Sequence, residues 1–173
     1  VATGTPMSRL IVVSNRVAPI QEGEATAGGL AAGVLDALKG HGGVWFGWSG
    51  NISDNAEPQP ARDVGPITLL TIDLSRDDHD QYYRGFANGV LWPVLHYQIG
   101  LERYDRAEFA GYKRVNDLFA RSLGKLMRPD DVVWAPDYLL LGVAEAFRGL
   151  GVSNRHGLGL ASPFPVPGRA PPP

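Results

Sequence analysis

The stretch Arg9-Leu10-Ile11-Val12-Val13-Ser14-Asn15-Arg16, with Ala27-Gly28-Gly29-Leu30 after it, decides the fold of this chain. A continuous apolar run ends in polar residues, and after a loop a glycine pair begins a helical pattern. This order is typical of the first strand, loop and helix of a ligand-binding α/β domain. Arg16 falls just past the predicted strand, at the sheet edge where such domains hold their ligands.

The remainder of the chain repeats this alternation of strand and helix. Short apolar runs predict strands over residues 10–14, 44–50, 67–74, 132–134 and 154–160. Helical spacing of apolar residues predicts helices over residues 28–39, 75–92, 109–126 and 139–150. The polar residues 51–65 are predicted to form a surface loop. This alternation predicts an α/β fold, in which a Rossmann-like parallel sheet carries helices on both faces.

The composition indicates one ordinary globular domain. The 173 residues are 44% hydrophobic and 20% charged, and the formal net charge of −2 gives no general attraction to nucleic acid or to an anionic membrane. No apolar run approaches the roughly 20 residues of a membrane span, and the chain has no cysteine. We therefore expect a cytoplasmic protein that binds neither nucleic acid nor membrane, with residues 1–7 as a disordered leader.

Two features near the start of the chain could bind an anion. Arg16 can hold a phosphate or carboxylate through two parallel hydrogen bonds, which a lysine cannot do; the alternative is a surface arginine in a loop. Gly28 and Gly29 begin a helix, where free backbone N–H groups favour an anion; the alternative is that glycine only permits the turn. The glycine pair matches neither the dinucleotide-binding fingerprint nor a P-loop.

Three further residues could bind a sugar. Tyr83 and Trp92 lie on or just after one predicted helix, and an aromatic ring can pack on a sugar while its polar tip hydrogen-bonds; the alternative is core packing. Asp137 follows a predicted strand at the same sheet edge as Arg16 and could accept hydrogen bonds from sugar hydroxyls; the alternative is a helix N-cap. The four histidines form no cluster with ligand spacing, so we expect no metal site.

Seven sequence blocks, taken together, resemble the trehalose-6-phosphate synthase family. They stand in the family's order, with similar spacing, over about residues 8–167. The blocks are residues 9–16, 27–30, 45–50, 82–83, 91–93, 111–116 and 134–141. The resemblance implies the N-terminal, acceptor-side domain of a two-domain, GT-B-type retaining glycosyltransferase, here over residues 8–160. The implied reaction transfers glucose from UDP-glucose to glucose 6-phosphate, without a metal or other cofactor.

The resemblance also implies a role for each candidate residue. It assigns Arg16 to the phosphate of the acceptor, glucose 6-phosphate. It places Tyr83, Trp92 and Asp137 around the glucose ring of that acceptor. The pair Gly28-Gly29 would approach the diphosphate-glucose end of the donor, UDP-glucose.

Three departures from the family lead to further expectations. Pro136 and Leu139 stand where the family has histidines, and Ala161 stands where it has a histidine that contacts the donor sugar. Residues 161–173 form a proline-rich, divergent tail, where the family continues into a C-terminal nucleotide-binding domain. Because that domain supplies most cationic groups that stabilise the leaving diphosphate, we expect the chain alone to have no measurable synthase activity.

Two other interpretations stay open at this point. The chain could be a sugar-phosphate-binding module without catalysis, because all four candidate acceptor residues are present. It could also be a decayed gene product, as the missing histidines suggest. For the synthase interpretation we expect a partner, either a separately encoded C-terminal domain or further copies of this chain.

Overall fold

A six-stranded sheet forms the centre of the structure, a computed structural model that describes residues 8–20, 30–40 and 42–160. Within the described residues, the strands are β1 (Leu10–Arg16), β2 (Gly43–Ile52), β3 (Arg62–Val64), β4 (Ile67–Leu74), β5 (Val132–Ala135) and β6 (Arg155–Leu158). Their spatial order is β3-β4-β2-β1-β5-β6. All neighbouring pairs are parallel except β3 with β4, which is antiparallel. The predicted α/β fold with a parallel sheet is confirmed.

The helices cover both faces of this sheet. In the described residues they are α1 (Leu30–Lys39), α2 (Arg76–Asp78), a π-helix (His79–Leu91), α3 (Trp92–Leu95), α4 (Arg106–Gly124), a 3-10 helix (Tyr138–Leu140) and α5 (Val143–Gly149). Helix α1 packs Leu38 on one face, against Val12 and Trp45. The π-helix, α4 and α5 cover the other face, where Phe46 and Phe119 meet edge to face.

Strand β1 shows why its sequence is a continuous apolar run. Ile11 and Val13 belong to the cluster under α4, whereas Val12 belongs to the cluster under α1. All three side chains are fully buried. A strand that is covered on both faces has no polar side, so its sequence loses the alternation that a half-exposed strand shows.

The predicted surface loop over residues 51–65 is wrong at both of its ends, which belong to strands. Strand β2 continues to Ile52, and Arg62–Val64 form β3 beside β4. The polar composition is misleading here because β3 is a short edge strand whose side chains are largely exposed. Backbone pairing with β4, and not burial of side chains, defines it.

Three helix boundaries also differ from prediction. The predicted helix over 139–150 is divided into the 3-10 helix and α5. Helix α4 begins at Arg106 because Asp105 caps it, accepting hydrogen bonds from the N–H groups of Ala107 and Glu108. The chain stays helical through Trp92 and Pro93, because the proline lies in the first turn of α3, where its missing N–H costs little.

A buried ion pair ties the start of β1 to the turn before β5. The Arg9 guanidinium donates to both carboxylate oxygens of Asp131, through Nε at 2.9 Å and Nη2 at 2.6 Å. The backbone N–H of Arg128 donates to the same carboxylate at 2.7 Å. Burial alone would raise the pKa of Asp131, but the hydrogen bonds and charge of Arg9, with the Arg128 N–H, hold it below its usual value.

We expect Asp131→Asn to lower the free energy of unfolding by about 1–3 kcal/mol at pH 7, because Arg9 loses its charged partner. Since the folded-state pKa is lowered, this stabilisation is present above the unfolded pKa of about 3.9 and is lost as the pH falls through the folded pKa. Urea unfolding at pH 7 and near pH 3 measures both effects. The control is Asp36→Asn, which breaks an exposed pair with Lys39 and should cost less than about 0.5 kcal/mol; equal losses would contradict the prediction.

His156, on β6, is a partly buried titratable group of the sheet. Its ring lies 5.0 Å from the Phe147 ring, beside a cavity of about 100 Å³ that Val133 and Leu140 also line. Neither ring nitrogen makes a well-formed hydrogen bond to a described residue. Burial, and then the charge of Arg148, lower the pKa of His156, against a weaker contribution from the Asn154 backbone. The imidazole is therefore held in its neutral form.

We expect His156→Leu to reduce the loss of stability between pH 7 and pH 5. The unfolded chain takes up a proton near pH 6.5 and the folded chain only at lower pH, so protonation favours unfolding in that window. Urea unfolding at both pH values gives the change in unfolding free energy for each protein. Equal pH dependence of the two proteins would show that His156 is not the group responsible.

Candidate ligand site at the carboxyl edge of the sheet

The candidate site lies where the parallel strands end. From β1 the chain continues to β2 on one side, and it later returns through β5 on the other. The crevice between two such diverging connections is the usual ligand position in open α/β sheets. Arg16 is the last residue of β1, and not a residue past the strand as predicted, because a register shift after Ser14 pairs it with Trp48 of β2.

The Arg16 guanidinium lies over an indole ring and against a glycine. Its central carbon is 5.8 Å from the ring centroid of Trp48, whose Nε1 donates to the Asn51 carbonyl at 2.7 Å. Gly50 has a φ of +97°, and a Cβ atom there would lie 2.6 Å from Arg16 Nη2. Among the described residues, no carboxylate forms an ion pair with Arg16, so its charge is available to an anion.

A row of aromatic rings continues from Arg16 to the π-helix. The Trp48 ring lies 5.1 Å from the His79 ring, which stacks at 5.5 Å on the ring of Tyr83. His79 Nδ1 lies 3.1 Å from a carboxylate oxygen of Asp80, which orients the imidazole. The row gives the crevice an aromatic wall, and it connects two of the predicted site residues, Arg16 and Tyr83.

The Asp137 carboxylate contacts the backbone N–H of Asn15, the residue before Arg16. The Asp137 carboxylate caps the 3-10 helix by accepting a hydrogen bond from the Leu139 N–H at 3.0 Å. Burial raises the pKa of Asp137, against the N–H groups of Leu139 and Asn15, which lower it. Asn15 Oδ1 also accepts a hydrogen bond from Tyr82 Oη at 3.0 Å. The N-cap alternative is therefore correct, although a carboxylate can accept further hydrogen bonds from a ligand.

The π-helix decides which of its residues face the site. Tyr83 and Trp92 are nine residues apart, which is about two and a half turns of an α-helix and would put them on opposite faces. The Trp92 N–H instead donates to the Ala87 carbonyl, five residues back. A helix whose hydrogen bonds reach five residues back has a wider turn than an α-helix. The π-helix therefore places Tyr83 and Trp92 closer to a common face than an α-helix would.

Tyr138 connects the loop of Asp137 to the same face of the π-helix. Its Oη lies 3.4 Å from Oδ1 of Asn88, a weak hydrogen bond. Burial, and then the nearby Asp137 and Tyr83, raise the pKa of Tyr138 to about 12. The phenol therefore stays protonated and can donate. Tyr138 is thus close enough to both Asp137 and Tyr83 for each to raise its pKa.

Trp92 is the predicted site residue that lies farthest from this group. Its ring stacks on the ring of His96 at 4.5 Å, and 42% of the residue is exposed. Arg16, Tyr83 and Asp137 are thus connected through short contacts, whereas Trp92 lies further along the same helix face. Trp92 is not a core residue, because 42% of it is exposed. Tyr83 is partly a core residue, because it is half-buried against the large core cluster.

Some of the positions singled out in the sequence lie outside the described residues, and two others are buried. Gly28, Gly29 and Ala161 lie outside the described part. Pro136 and Leu139, the positions at which the sequence resemblance implies histidines, are both buried, and Leu139 packs in the large core cluster. Both positions are thus occupied by apolar packing in this chain.

Three residues of the crevice were not predicted from the sequence. Trp48 lies in the apolar strand pattern of β2, and its three-residue spacing from Trp45 is the signal that the two indoles face opposite sides of the sheet. His79 precedes Tyr83 by four residues, which is one turn of a helix. Asn15 carries no such signal, because its hydrogen bonds to Tyr82 and to the loop after β5 are long-range contacts.

Two further features are absent from the described residues. No described helix is both long and apolar enough to cross a membrane. No group of three or more acidic or histidine side chains in the same part of the chain could hold a metal ion.

An open, mostly parallel α/β sheet with helices on both faces, and an arginine without an ion-pair partner among the described residues at its carboxyl edge, is the architecture of a Rossmann-like domain. The model of glycosyltransferase family 20 matches residues 8–168, and the chain belongs to that family. The family resemblance found in the sequence is thereby confirmed.

Named relatives agree with this assignment. A trehalose-6-phosphate synthase from Cronobacter sakazakii is 50% identical over 161 residues, which are 93% of this chain and 34% of the relative. A UDP-forming α,α-trehalose-phosphate synthase from Burkholderia xenovorans, solved with glucose-6-phosphate, superposes with a TM-score of 0.84 at 54% identity, covering 92% of this chain and 34% of the other.

An E. coli structure with UDP-2-fluoro glucose bound superposes with a TM-score of 0.84 at 48% identity, over 92% of this chain and 34% of the other. The sheet matches the N-terminal Rossmann-like domain of the trehalose-phosphate synthase structures. The chain spans about a third of the length of these relatives.

We expect Tyr82→Phe to lower the free energy of unfolding by about 1–2 kcal/mol, because Asn15 Oδ1 loses its donor at the carboxyl end of β1. Tyr82 is fully buried, so solvent does not replace the lost hydroxyl. The control is Tyr104→Phe, where the side chain is 61% exposed and the change should stay below about 0.5 kcal/mol. Urea unfolding of the three proteins measures the difference, and indistinguishable midpoints would contradict it.

Proposed function

We propose that this chain forms the acceptor side of a UDP-forming α,α-trehalose-phosphate synthase, which transfers glucose from UDP-glucose to glucose 6-phosphate with retention of configuration. Four residues would bind glucose 6-phosphate, namely Arg16, Tyr83, Trp92 and Asp137. The observation that carries the proposal is the unpaired Arg16 guanidinium over Trp48, at the carboxyl edge of a family 20 domain.

Arg16 has the properties that a phosphate site requires. A guanidinium offers two parallel N–H donors to a phosphate, and the pair of charge-assisted hydrogen bonds is stronger than neutral ones. The guanidinium lies over the Trp48 ring in the space left by Gly50, and no carboxylate of the described residues forms an ion pair with it. The ligand in the Burkholderia xenovorans structure, glucose-6-phosphate, carries such a phosphate.

The other three residues suit the glucose ring of the acceptor. Tyr83 and Trp92 present aromatic groups on one helix face, where sugar C–H surfaces can pack. Asp137 presents a carboxylate oxygen at the crevice, and a carboxylate accepts hydrogen bonds from hydroxyl groups. Binding at these points fixes the acceptor so that its anomeric hydroxyl can meet the donor in a near-attack geometry.

On the donor side we propose that Gly28 and Gly29 approach the diphosphate of UDP-glucose. The support is the family assignment and the UDP-2-fluoro glucose bound in the E. coli structure. In the reaction, the bond from glucose C1 to the UDP oxygen breaks, a bond from C1 to the acceptor oxygen forms, and the proton of the acceptor hydroxyl passes to the leaving diphosphate oxygen. The leaving diphosphate then carries a negative charge, which cationic groups and backbone N–H donors must stabilise.

We expect Arg16→Ala to weaken binding of glucose 6-phosphate to this chain by about 10- to 100-fold, because a charge-assisted pair of hydrogen bonds is lost. Arg16→Lys should recover only part of the affinity, since an ammonium cannot make the parallel pair. Arg155→Ala is the control, because Arg155 is exposed at the amino end of β6. Isothermal titration calorimetry measures all four proteins, and equal affinity in wild type and Arg16→Ala would contradict the proposed site.

The alternative of a non-catalytic sugar-phosphate-binding module predicts the same binding result. The apolar residues at Pro136 and Leu139 are the observation that favours it, because they replace family histidines next to Asp137. Because the chain alone is expected to show no turnover, the coupled assay for UDP release is run with both substrates after adding a separately expressed C-terminal domain of a family 20 relative. Turnover on that addition supports the acceptor-side role, whereas binding that stays without turnover supports sugar-phosphate recognition.

A further inference from the structure

A cavity of about 270 Å³ lies beside Arg16, between the segment that follows β1 and the strands β3 and β4. Its polar side chains belong to Arg16, Ser49, Arg62 and Thr71, and apolar residues and prolines form the rest of its lining. Its volume is just below the roughly 300 Å³ at which small-molecule sites begin. The cavity therefore suits one charged group of a ligand better than a whole ligand.

The pairing of β3 with β4 places Arg62 and Thr71 on the same face of the sheet. Arg62 lies directly opposite Leu69 in the antiparallel register, and the side chains of directly opposite residues project from the same face. Leu69 belongs to the cluster under α1, and Thr71, two residues further along β4, projects to that face as well. The register of an edge strand thus brings a guanidinium and a hydroxyl into the lining of one cavity.

A hydrogen bond holds the Arg62 guanidinium beside the segment that leads away from Arg16. Its Nη2 donates to the carbonyl of Ile20, which lies 42 residues earlier in the chain. A guanidinium has five N–H donors, so this bond leaves most of them for a ligand. Among the described residues, no carboxylate forms an ion pair with Arg62. The side chain is therefore positioned without being neutralised.

Two carboxylates on the same strands are hydrogen-bonded to other side chains. Asp63 on β3 projects to the opposite face of the sheet, where it accepts from Thr68 Oγ1 at 2.7 Å. Asp73 on β4 accepts from Ser49 Oγ at 2.5 Å and from Gln59 Nε2 at 3.3 Å. The described lining of the cavity includes two arginines and no carboxylate, so it carries a net positive charge.

We propose that Arg16 and Arg62 together bind one phosphate group in this cavity, with the Thr71 hydroxyl as a further donor. Two guanidinium groups without a carboxylate between them suit a phosphate, whose oxygens accept several charge-assisted hydrogen bonds. Both ligands of the proposed function carry such a group, glucose 6-phosphate as its 6-phosphate and UDP-glucose as its diphosphate. The inference rests on the proposed function in one respect, that Arg16 binds phosphate, and it adds Arg62 and Thr71 to that site.

Titration of the ¹⁵N-labelled full chain, followed by ¹H–¹⁵N NMR spectra, locates the phosphate group. Glucose 6-phosphate and UDP-glucose are added separately, and glucose is the uncharged control. We expect at least one of the two phosphate ligands to shift the backbone amides of Arg62 and Thr71, which glucose should leave in place. The ligand that shifts them is the source of the phosphate group.

The same titration separates the inference from the proposed function. If a phosphate ligand shifts the amides of Tyr83 and Asp137 but not those of Arg62 and Thr71, the inference is wrong and the proposed function stands. If neither ligand shifts any of these amides, both are wrong. An equal shift of Arg62 and Thr71 with glucose would also overturn the inference, because the cavity would then not recognise the phosphate.

Two arginine variants provide a matched pair. Arg62→Ala should weaken binding of that ligand by about 3- to 10-fold, because a charge-assisted contact to the phosphate is lost. Arg155→Ala removes the same charge from β6, at the opposite edge of the sheet, and should bind as wild type. Wild-type affinity in Arg62→Ala would overturn the inference, and a loss confined to Arg16→Ala would leave the proposed function intact.

Two further variants test whether the effect of Arg62 is more than local support of the chain. Thr71→Val leaves the contact between Arg62 and Ile20 in place and should weaken binding by about 2- to 5-fold, because one donor is lost. Two side chains that hold one phosphate are coupled, so the double variant Arg16→Ala, Arg62→Ala should lose less affinity than the product of the two single losses. Wild-type affinity in Thr71→Val, or a double loss equal to that product, would contradict a shared phosphate.

Discussion

The pairing of β1 with β2 on one side and β5 on the other is the constraint on which the rest of the structure depends. Residues Ile11, Val12 and Val13 are fully buried between the two helix layers, so these three positions can tolerate neither a polar side chain nor a shift of register. Its end is fixed by the same pairing. Arg16 consequently emerges at one defined point of the carboxyl edge, beside Trp48 of β2.

The π-helix adds a second constraint, which acts on the opposite wall of the crevice. Its buried side places Tyr82 and Phe86 against the rings of Tyr112 and Phe109 in α4. Because its hydrogen bonds reach five residues back, this helix has a wider turn than an α-helix. The wider turn brings Tyr83 and Trp92, the two candidate sugar-binding residues of this segment, closer to a common face.

The sequence allowed most of the fold to be predicted because the decisive signals are local. The apolar run of β1 and the Ser75 cap of α2 depend on neighbouring residues, and both appear in the structure. Strand β3 could not be predicted, because pairing with β4 defines it and its own side chains are exposed. The same reason applies at the site, where Asn15 and His79 acquire their positions from residues that are distant in sequence.

Gly50 shows how a missing side chain decides the position of a charged group. A Cβ atom at Gly50 would lie 2.6 Å from Arg16 Nη2, so any other residue there would displace the guanidinium. The φ of +97° at Gly50 also favours glycine, so the backbone and the available space make the same demand. At Gly142, by contrast, the backbone is right-handed helical and a Cβ atom would make only van der Waals contact with Asn116, whose Oδ1 is already buried. The requirement for glycine is therefore tied to the candidate site, at the end of the strand pair that also fixes Arg16.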